Sequence, residues 1–267
     1  MTLFADLHAT RTAYEVRGMG APILLIHGAE ANRESFSELS TALSSQVTAP
    51  LCVVSYDQRE CGDTESDGRP HSIPDLAEDA AQLMDSLGFD RFSVMGTSLG
   101  GRVAQALAMA NPERIDALCL VNTWPLDRAL AELNPSGAAR LRSLREGLPC
   151  TAHDLAAMFY TPAHVARHPA LVQRFARPTG GSRRSALALE VHDLSPERIK
   201  VRTLCISSEE DQVVPSFVAR ELASRIALCT FETVPGVGHS IAVQAPASLA
   251  RLISSFMCRQ VAGFPSA

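Results

Sequence analysis

Aromatic residues are scarce in this 267-residue chain, at 5%, and it has one tryptophan, Trp124. Ala and Leu carry most of the 46% that is apolar. No apolar run reaches the roughly 20 residues that a membrane span needs, so no membrane association is expected. Blocks of Lys and Arg are also missing. The 24 basic residues stand against 29 acidic ones, a net charge of −5, and no nucleic-acid partner is expected. The amino terminus, Met1-Thr2-Leu3-Phe4-Ala5-Asp6, has no basic stretch followed by an apolar one, which argues against a secretory signal. The seven cysteines are odd in number and scattered, with no CxxC pair and no zinc spacing with histidine. They read as small core residues in a reducing cytoplasm, where the protein is expected to work without a metal. The composition excludes collagen-like, low-complexity and disordered chains.

What is present is an alternation. A chain of this length can be one α/β domain. Leu3–Leu7 and Thr12–Arg17 suit an antiparallel edge. The runs Pro22–His27, Leu51–Tyr56, Phe92–Met95 and Ile115–Val121 are continuous and apolar, as strands buried on both faces must be. Helical spacing separates them at Ser35–Ser45, Ile73–Leu87 and Leu99–Ala110. Strands alternating with helices predict a mostly parallel sheet covered on both faces. After Trp124-Pro125 the alternation stops, and residues 125–195 show helical patterns and proline punctuation. It resumes with a strand at Thr203–Ser207, a helix at Ser216–Arg225, a strand at Cys229–Val234 and a helix at Ala247–Arg259. An insertion at the carboxyl end of a strand is expected over the binding crevice of such a sheet.

Gly96-Thr97-Ser98-Leu99-Gly100-Gly101 falls where a strand meets a helix. A nucleophile on so tight a turn has a strained backbone, and Cβ atoms two residues to either side would clash, hence glycine at 96 and 100. The turn lifts the Ser98 hydroxyl above the sheet, at a helix end that favours developing negative charge. Serine needs a base. His239, in Val234-Pro235-Gly236-Val237-Gly238-His239-Ser240 just past a strand, is the best candidate. His8, His71, His153, His164, His168 and His192 are poorer ones, although His153 and His192 are candidates for the cavity wall. The base needs an orienting acid, and Glu209-Glu210-Asp211 offers three. Asp211 is favoured because it lies nearest the turn into Val213-Val214-Pro215. Asp127 is a weaker alternative. The oxyanion donors are expected at the Leu99 N–H and, after the strand at 23–26, at the Ala29 N–H, beside Gly28.

These motifs together resemble the α/β-hydrolase superfamily, in its serine-nucleophile branch with a helical cap. His27-Gly28, Gly96–Gly101, the DQVVP segment at Asp211–Pro215 and Gly236–His239 follow that family's order over nearly the whole chain. The resemblance implies an eight-stranded, mostly parallel sheet with a cap after the sixth strand. Residues 1–124 and 196–267 would form the core, and 125–195 the cap. Tyr56–Gly62 is similar to the DxRGxG turn of small esterases and enol-lactonases, with Glu60 in place of a glycine. The implied reaction is hydrolysis of a small carboxylic ester or lactone through an acyl-enzyme, with no cofactor, by a monomer or homodimer. Gly28, Glu30, Trp124 and Phe159 are the expected substrate contacts. The same triad also serves carbon–carbon bond hydrolases of ring-cleavage diketones, cofactor-free perhydrolases and slow-turnover sensors. Thr97 and the short oxyanion segment disfavour the first of these.

Overall fold

Adjacent residues of the run at 21–26 belong to two different cores. Leu24 and Ile26 are buried in one apolar cluster, Ile23 and Leu25 in another. Successive side chains of a strand leave opposite faces, so a continuous apolar run means a sheet covered on both sides. The structure, a computed structural model, describes residues 1–29, 31–45, 50–66, 68–176, 186–187 and 189–258.

The strands in chain order are β1 (Leu3–Asp6), β2 (Thr10–Arg17), β3 (Ala21–Ile26), β4 (Leu51–Tyr56), β5 (Glu65–Ser66), β6 (Phe92–Thr97), β7 (Ile115–Val121), β8 (Thr203–Ser208) and β9 (Cys229–Val234). The helices of the first half are α1 (Ser37–Ser44), α2 (Ile73–Ser86) and α3 (Leu99–Ala110). Between β7 and β8 come α4 (Leu130–Leu133), α5 (Pro135–Glu146), α6 (Ala152–Phe159), α7 (Pro162–Arg167) and α8 (Ala170–Phe175). The chain then adds α9 (Ser216–Ser224), α10 (Ile241–Gln244) and α11 (Pro246–Cys258).

Eight strands run in the order β1-β2-β4-β3-β6-β7-β8-β9. Pairing is antiparallel from β1 to β2 and from β2 to β4, and parallel from β4 to β9. The two-residue β5 pairs with β2; Glu65-Ser66 is too short and polar to read as a strand. The chain steps from β3 to β4 on one side, then returns to β6 on the other. That reversal makes a switch point at the carboxyl ends of β3 and β6, where a crevice opens. Ile26 of β3 is in register with Gly96 of β6, so the segment after Ile26 and Ser98 emerge side by side.

Residues of α2, α3 and α9 pack on one face of the sheet, and those of α1 and α11 on the other. Trp124 joins Leu130, Leu133 and Met158 of the inserted helices to Val213, Val214 and Val218, which follow β8. A buried cation fastens the two ends of the insertion. The Arg102 guanidinium of α3 donates to the carbonyls of Leu126 (2.9 Å), Glu190 (2.6 Å) and Leu187 (3.2 Å), and lies 5.2 Å from the centroid of the Trp124 ring. Burial pulls its pKa down to about 10. Among the described residues no helix is long and apolar enough to cross a membrane.

Candidate active site

Ser98 sits between β6 and α3 with φ +54° and ψ −122°. Backbone in such a region costs of order 1–3 kcal/mol and persists only where neighbours hold it. Three hydrogen bonds do so. The Ser98 N–H donates to the Val121 carbonyl at 3.0 Å, and the Ser98 carbonyl accepts from Gly101 N–H at 3.0 Å and Thr123 Oγ1 at 2.7 Å. The glycines follow from distances. A Cβ at Gly96 would lie 2.2 Å from the Gly100 carbonyl oxygen, and one at Gly100 would lie 2.2 Å from that of Ile26. Gly101 is equally constrained, with the Thr123 side chain 2.6 Å from where its Cβ would be.

His239 and Asp211 arrive from the ends of β9 and β8. Asp211 Oδ2 lies 2.7 Å from His239 Nδ1. A carboxylate accepts, so the proton sits on Nδ1 and the lone pair is left on Nε2. The other carboxylate oxygen, Oδ1, accepts from the N–H groups of Val213 and Val214, both at 2.8 Å. Those two bonds lock the side chain in one orientation, and only Asp211 of the three acids has them. Glu209 instead accepts from Gly236 N–H at 3.1 Å and ties down the loop that carries His239. Asp127 is held by both Nη atoms of Arg225, at 3.0 and 2.6 Å, so the alternative acid belongs to an ion pair elsewhere.

A cavity of about 710 Å³ opens at this edge of the sheet, and Ser98 and His239 both line it. Gly28, Ala29, Leu99, Trp124 and Phe159 line it too. Leu99 is the first residue of α3, so its N–H is one of the helix-end donors without an intrahelical acceptor. Gly28 is needed for closeness, since a Cβ there would come 3.2 Å from the Ser98 Cβ. Phe159 meets the His239 ring edge-on, with centroids 5.5 Å apart. Its carbonyl accepts from Ser240 N–H at 2.9 Å, so the end of α6 braces the histidine loop. Glu30 lies outside the described residues. His153 and His192 are not among the residues that line the cavity: His153 is exposed beside Asp154, and His192 Nε2 lies 3.2 Å from Glu190.

His27, Asp57 and Glu60 were legible as members of the His27-Gly28 and Tyr56–Gly62 motifs, but their supporting roles are tertiary. His27 is wholly buried, and its Nε2 accepts from Gln58 N–H at 3.1 Å. Nδ1 is then the donor, to the Gly28 carbonyl at 2.8 Å, which shapes the turn at Gly28-Ala29. Asp57, also wholly buried, accepts from Arg33 N–H at 2.7 Å and Asp63 N–H at 2.8 Å and pairs with the Arg33 guanidinium. Glu60 takes φ +61°, the left-handed conformation that the missing glycine would have adopted freely. Asn122 and Thr123, which follow β7, carried no readable signal.

The alpha/beta hydrolase fold family matches residues 21–246. The protein named "putative carbamate hydrolase RutD" of Caulobacter sp. strain K31 is 29% identical over 89% of this chain and 96% of its own. The 2-hydroxymuconate semialdehyde hydrolase of Pseudomonas putida is 28% identical over 92% of this chain and 90% of its own. Among solved structures, the enol-lactonase of Burkholderia xenovorans LB400 superposes with a TM-score of 0.80 at 24% identity, covering 96% of this chain and 100% of that one; at that identity the likeness concerns the fold.

Proposed function

The chain belongs to the alpha/beta hydrolase fold family, and from that premise we propose that it is a serine hydrolase of small carboxylic esters or lactones. The observation that carries the reading is the Asp211–His239 contact of 2.7 Å, at the rim of a cavity that Ser98 also lines. His239 Nε2 takes the Ser98 hydroxyl proton as Oγ attacks the substrate carbonyl. Asp211 keeps the other proton on Nδ1 and stabilises the imidazolium. The N–H groups of Leu99 and Ala29 receive the oxyanion. On collapse His239 returns the proton to the departing alcohol oxygen, then activates the water that cleaves the acyl-enzyme. Residues 125–195 are read as the cap that sets substrate size, with Trp124 and Phe159 as walls.

A second reading has support from the names of the relatives. The same serine could attack a carbamate carbonyl or a vinylogous ketone, with nitrogen or carbon as the leaving atom. The test is steady-state hydrolysis of 4-nitrophenyl esters from acetate to decanoate, by wild type and Ser98→Ala. Turnover that peaks at one chain length and vanishes in Ser98→Ala supports the first reading. Ser98 labelled by a fluorophosphonate without ester turnover directs attention to carbamates and ring-cleavage diketones. Full activity in Ser98→Ala sinks both.

A further inference from the structure

The chain is acidic, yet arginine is prominent in its cavity. Among the described residues, the Lys, Arg, Asp and Glu side chains that line it are Arg142 and Arg145 of α5, Arg174 of α8 and one carboxylate, Glu146. Arg142 and Arg145 stand three residues apart, which places them on one face of their helix. Several arginines outside the cavity hold a carboxylate, among them Arg33, Arg59, Arg91, Arg114 and Arg225. Among the described residues Arg142 and Arg174 hold none. The lining also holds many apolar side chains, among them Leu141 and Phe175, which adjoin Arg142 and Arg174 in the chain. An apolar cavity with guanidinium groups from two helices suits a ligand with a hydrocarbon body and an anionic end. Guanidinium is also the side chain whose planar fork matches a carboxylate.

We propose that the substrate carries a carboxylate, joined through an apolar stretch to the carbonyl that Ser98 attacks, and that Arg142, Arg145 and Arg174 receive it. Substrate class is thus read from the inserted helices, while the reacting groups come from the sheet edge. The arginines also draw anions towards the cavity mouth, an attraction that salt screens within about 8 Å at physiological ionic strength. The kinetic arm of the test rests on the serine-hydrolase reading; the binding arm does not.

In the kinetic arm, wild type is given 4-nitrophenyl hydrogen suberate and its methyl-capped counterpart, which differ only in the distal charge. The expected result is a kcat/KM about tenfold or more higher for the anionic ester, the scale of one charge-assisted hydrogen bond. Arg142→Gln and Arg174→Gln each reduce that preference severalfold. The double variant abolishes it, and 0.5 M NaCl weakens it in wild type. Both side chains are exposed, so the variants leave the fold alone, and Arg251→Gln on α11 is the control. A ratio at or below one, or one unchanged in the double variant, overturns the proposal.

In the binding arm, Ser98→Ala is titrated with monomethyl and dimethyl suberate. Trp124 is the chain's one tryptophan and lines the cavity, so its fluorescence reports occupancy. Tighter binding of the monoanion, lost with Arg142→Gln and Arg174→Gln, upholds the proposal even where no ester is turned over. Equal binding of the two, or none by either, overturns it.

Discussion

Asn122 Nδ2 donates to the main-chain carbonyl of His239 at 2.7 Å, across 117 residues of sequence. The same carboxamide donates to Ser208 Oγ at 2.9 Å and accepts from Ser208 N–H at 2.8 Å. One side chain at the end of β7 therefore fixes the end of β8 and the loop after β9, which carry Asp211 and His239. Asn122 holds φ +46° to do so, a conformation that asparagine tolerates better than most residues. Asn122→Ala is expected to lose about 2–4 kcal/mol, from three buried hydrogen bonds and a strained alanine. Its kcat/KM should fall about tenfold as the histidine loop loosens. Asn122→Gly loses the same bonds without the strain, so urea unfolding should place it about 1 kcal/mol above the alanine variant. A glycine variant that is the less stable of the two would refute this account.

The ambiguity among the acids has a kinetic test. Asp211→Asn removes the acceptor that holds the His239 proton on Nδ1, and kcat/KM should drop by roughly 10³- to 10⁴-fold with the fold intact. Asp127→Asn disturbs only the half-buried pair with Arg225, which is worth about 0–1 kcal/mol. Ester hydrolysis by that variant should stay within about twofold of wild type. The reverse ranking would move the acid to the end of β7.

Glycines at different places carry different costs. A methyl at Gly100 meets backbone oxygens of Ile26 at 2.2 Å and His27 at 2.5 Å, and neither can move without displacing β3. Gly100→Ala should therefore lose several kcal/mol, with activity, or fail to accumulate as folded protein. Gly88 holds φ +76° with nothing within 4 Å of a Cβ. Gly88→Ala should cost only the left-handed backbone, about 1 kcal/mol, and leave kcat unchanged. Thermal melts and esterase assays of the two variants check the contrast.

Acid should loosen the insertion. The His164 imidazole is 8% exposed, stacks on Tyr160 with ring centroids 5.3 Å apart and lies 4.4 Å from the His168 ring. Burial lowers its pKa below the ordinary value, and His168 and Arg167 lower it further. The unfolded chain then takes up a proton near pH ~6.5 that the folded chain resists. Stability is present in full above that pH and is lost as pH falls through the folded value. His192 is lowered in the same direction, first by burial. Melting temperature should fall between pH 7.5 and 5, and less steeply for His164→Phe, which keeps the stacking and cannot titrate. Parallel curves for the two proteins would remove His164 from the explanation.

The alternation of strands and helices was legible because burial on both faces demands continuous apolar runs, as at 21–26 and 51–56. The tight turn at Ser98 was legible for a steric reason, since only glycine fits at 96 and 100. The motifs also pointed to Asp211, but the reason for it is tertiary: two N–H groups of its own turn hold one oxygen while the other meets His239. Asn122 and Arg102 had no signature, because their partners come from strands and loops far away in the chain. Arg142 and Arg145 were visible as charges at helical spacing, a pattern that reads equally well as a solvated face. The sequence by itself determined which segments are strands and where a strained serine could stand, because those depend on local sterics and hydrophobic period. Only the tertiary structure decided which acid meets the histidine, which asparagine holds them together and which arginines face the cavity, because each depends on the packing of distant segments.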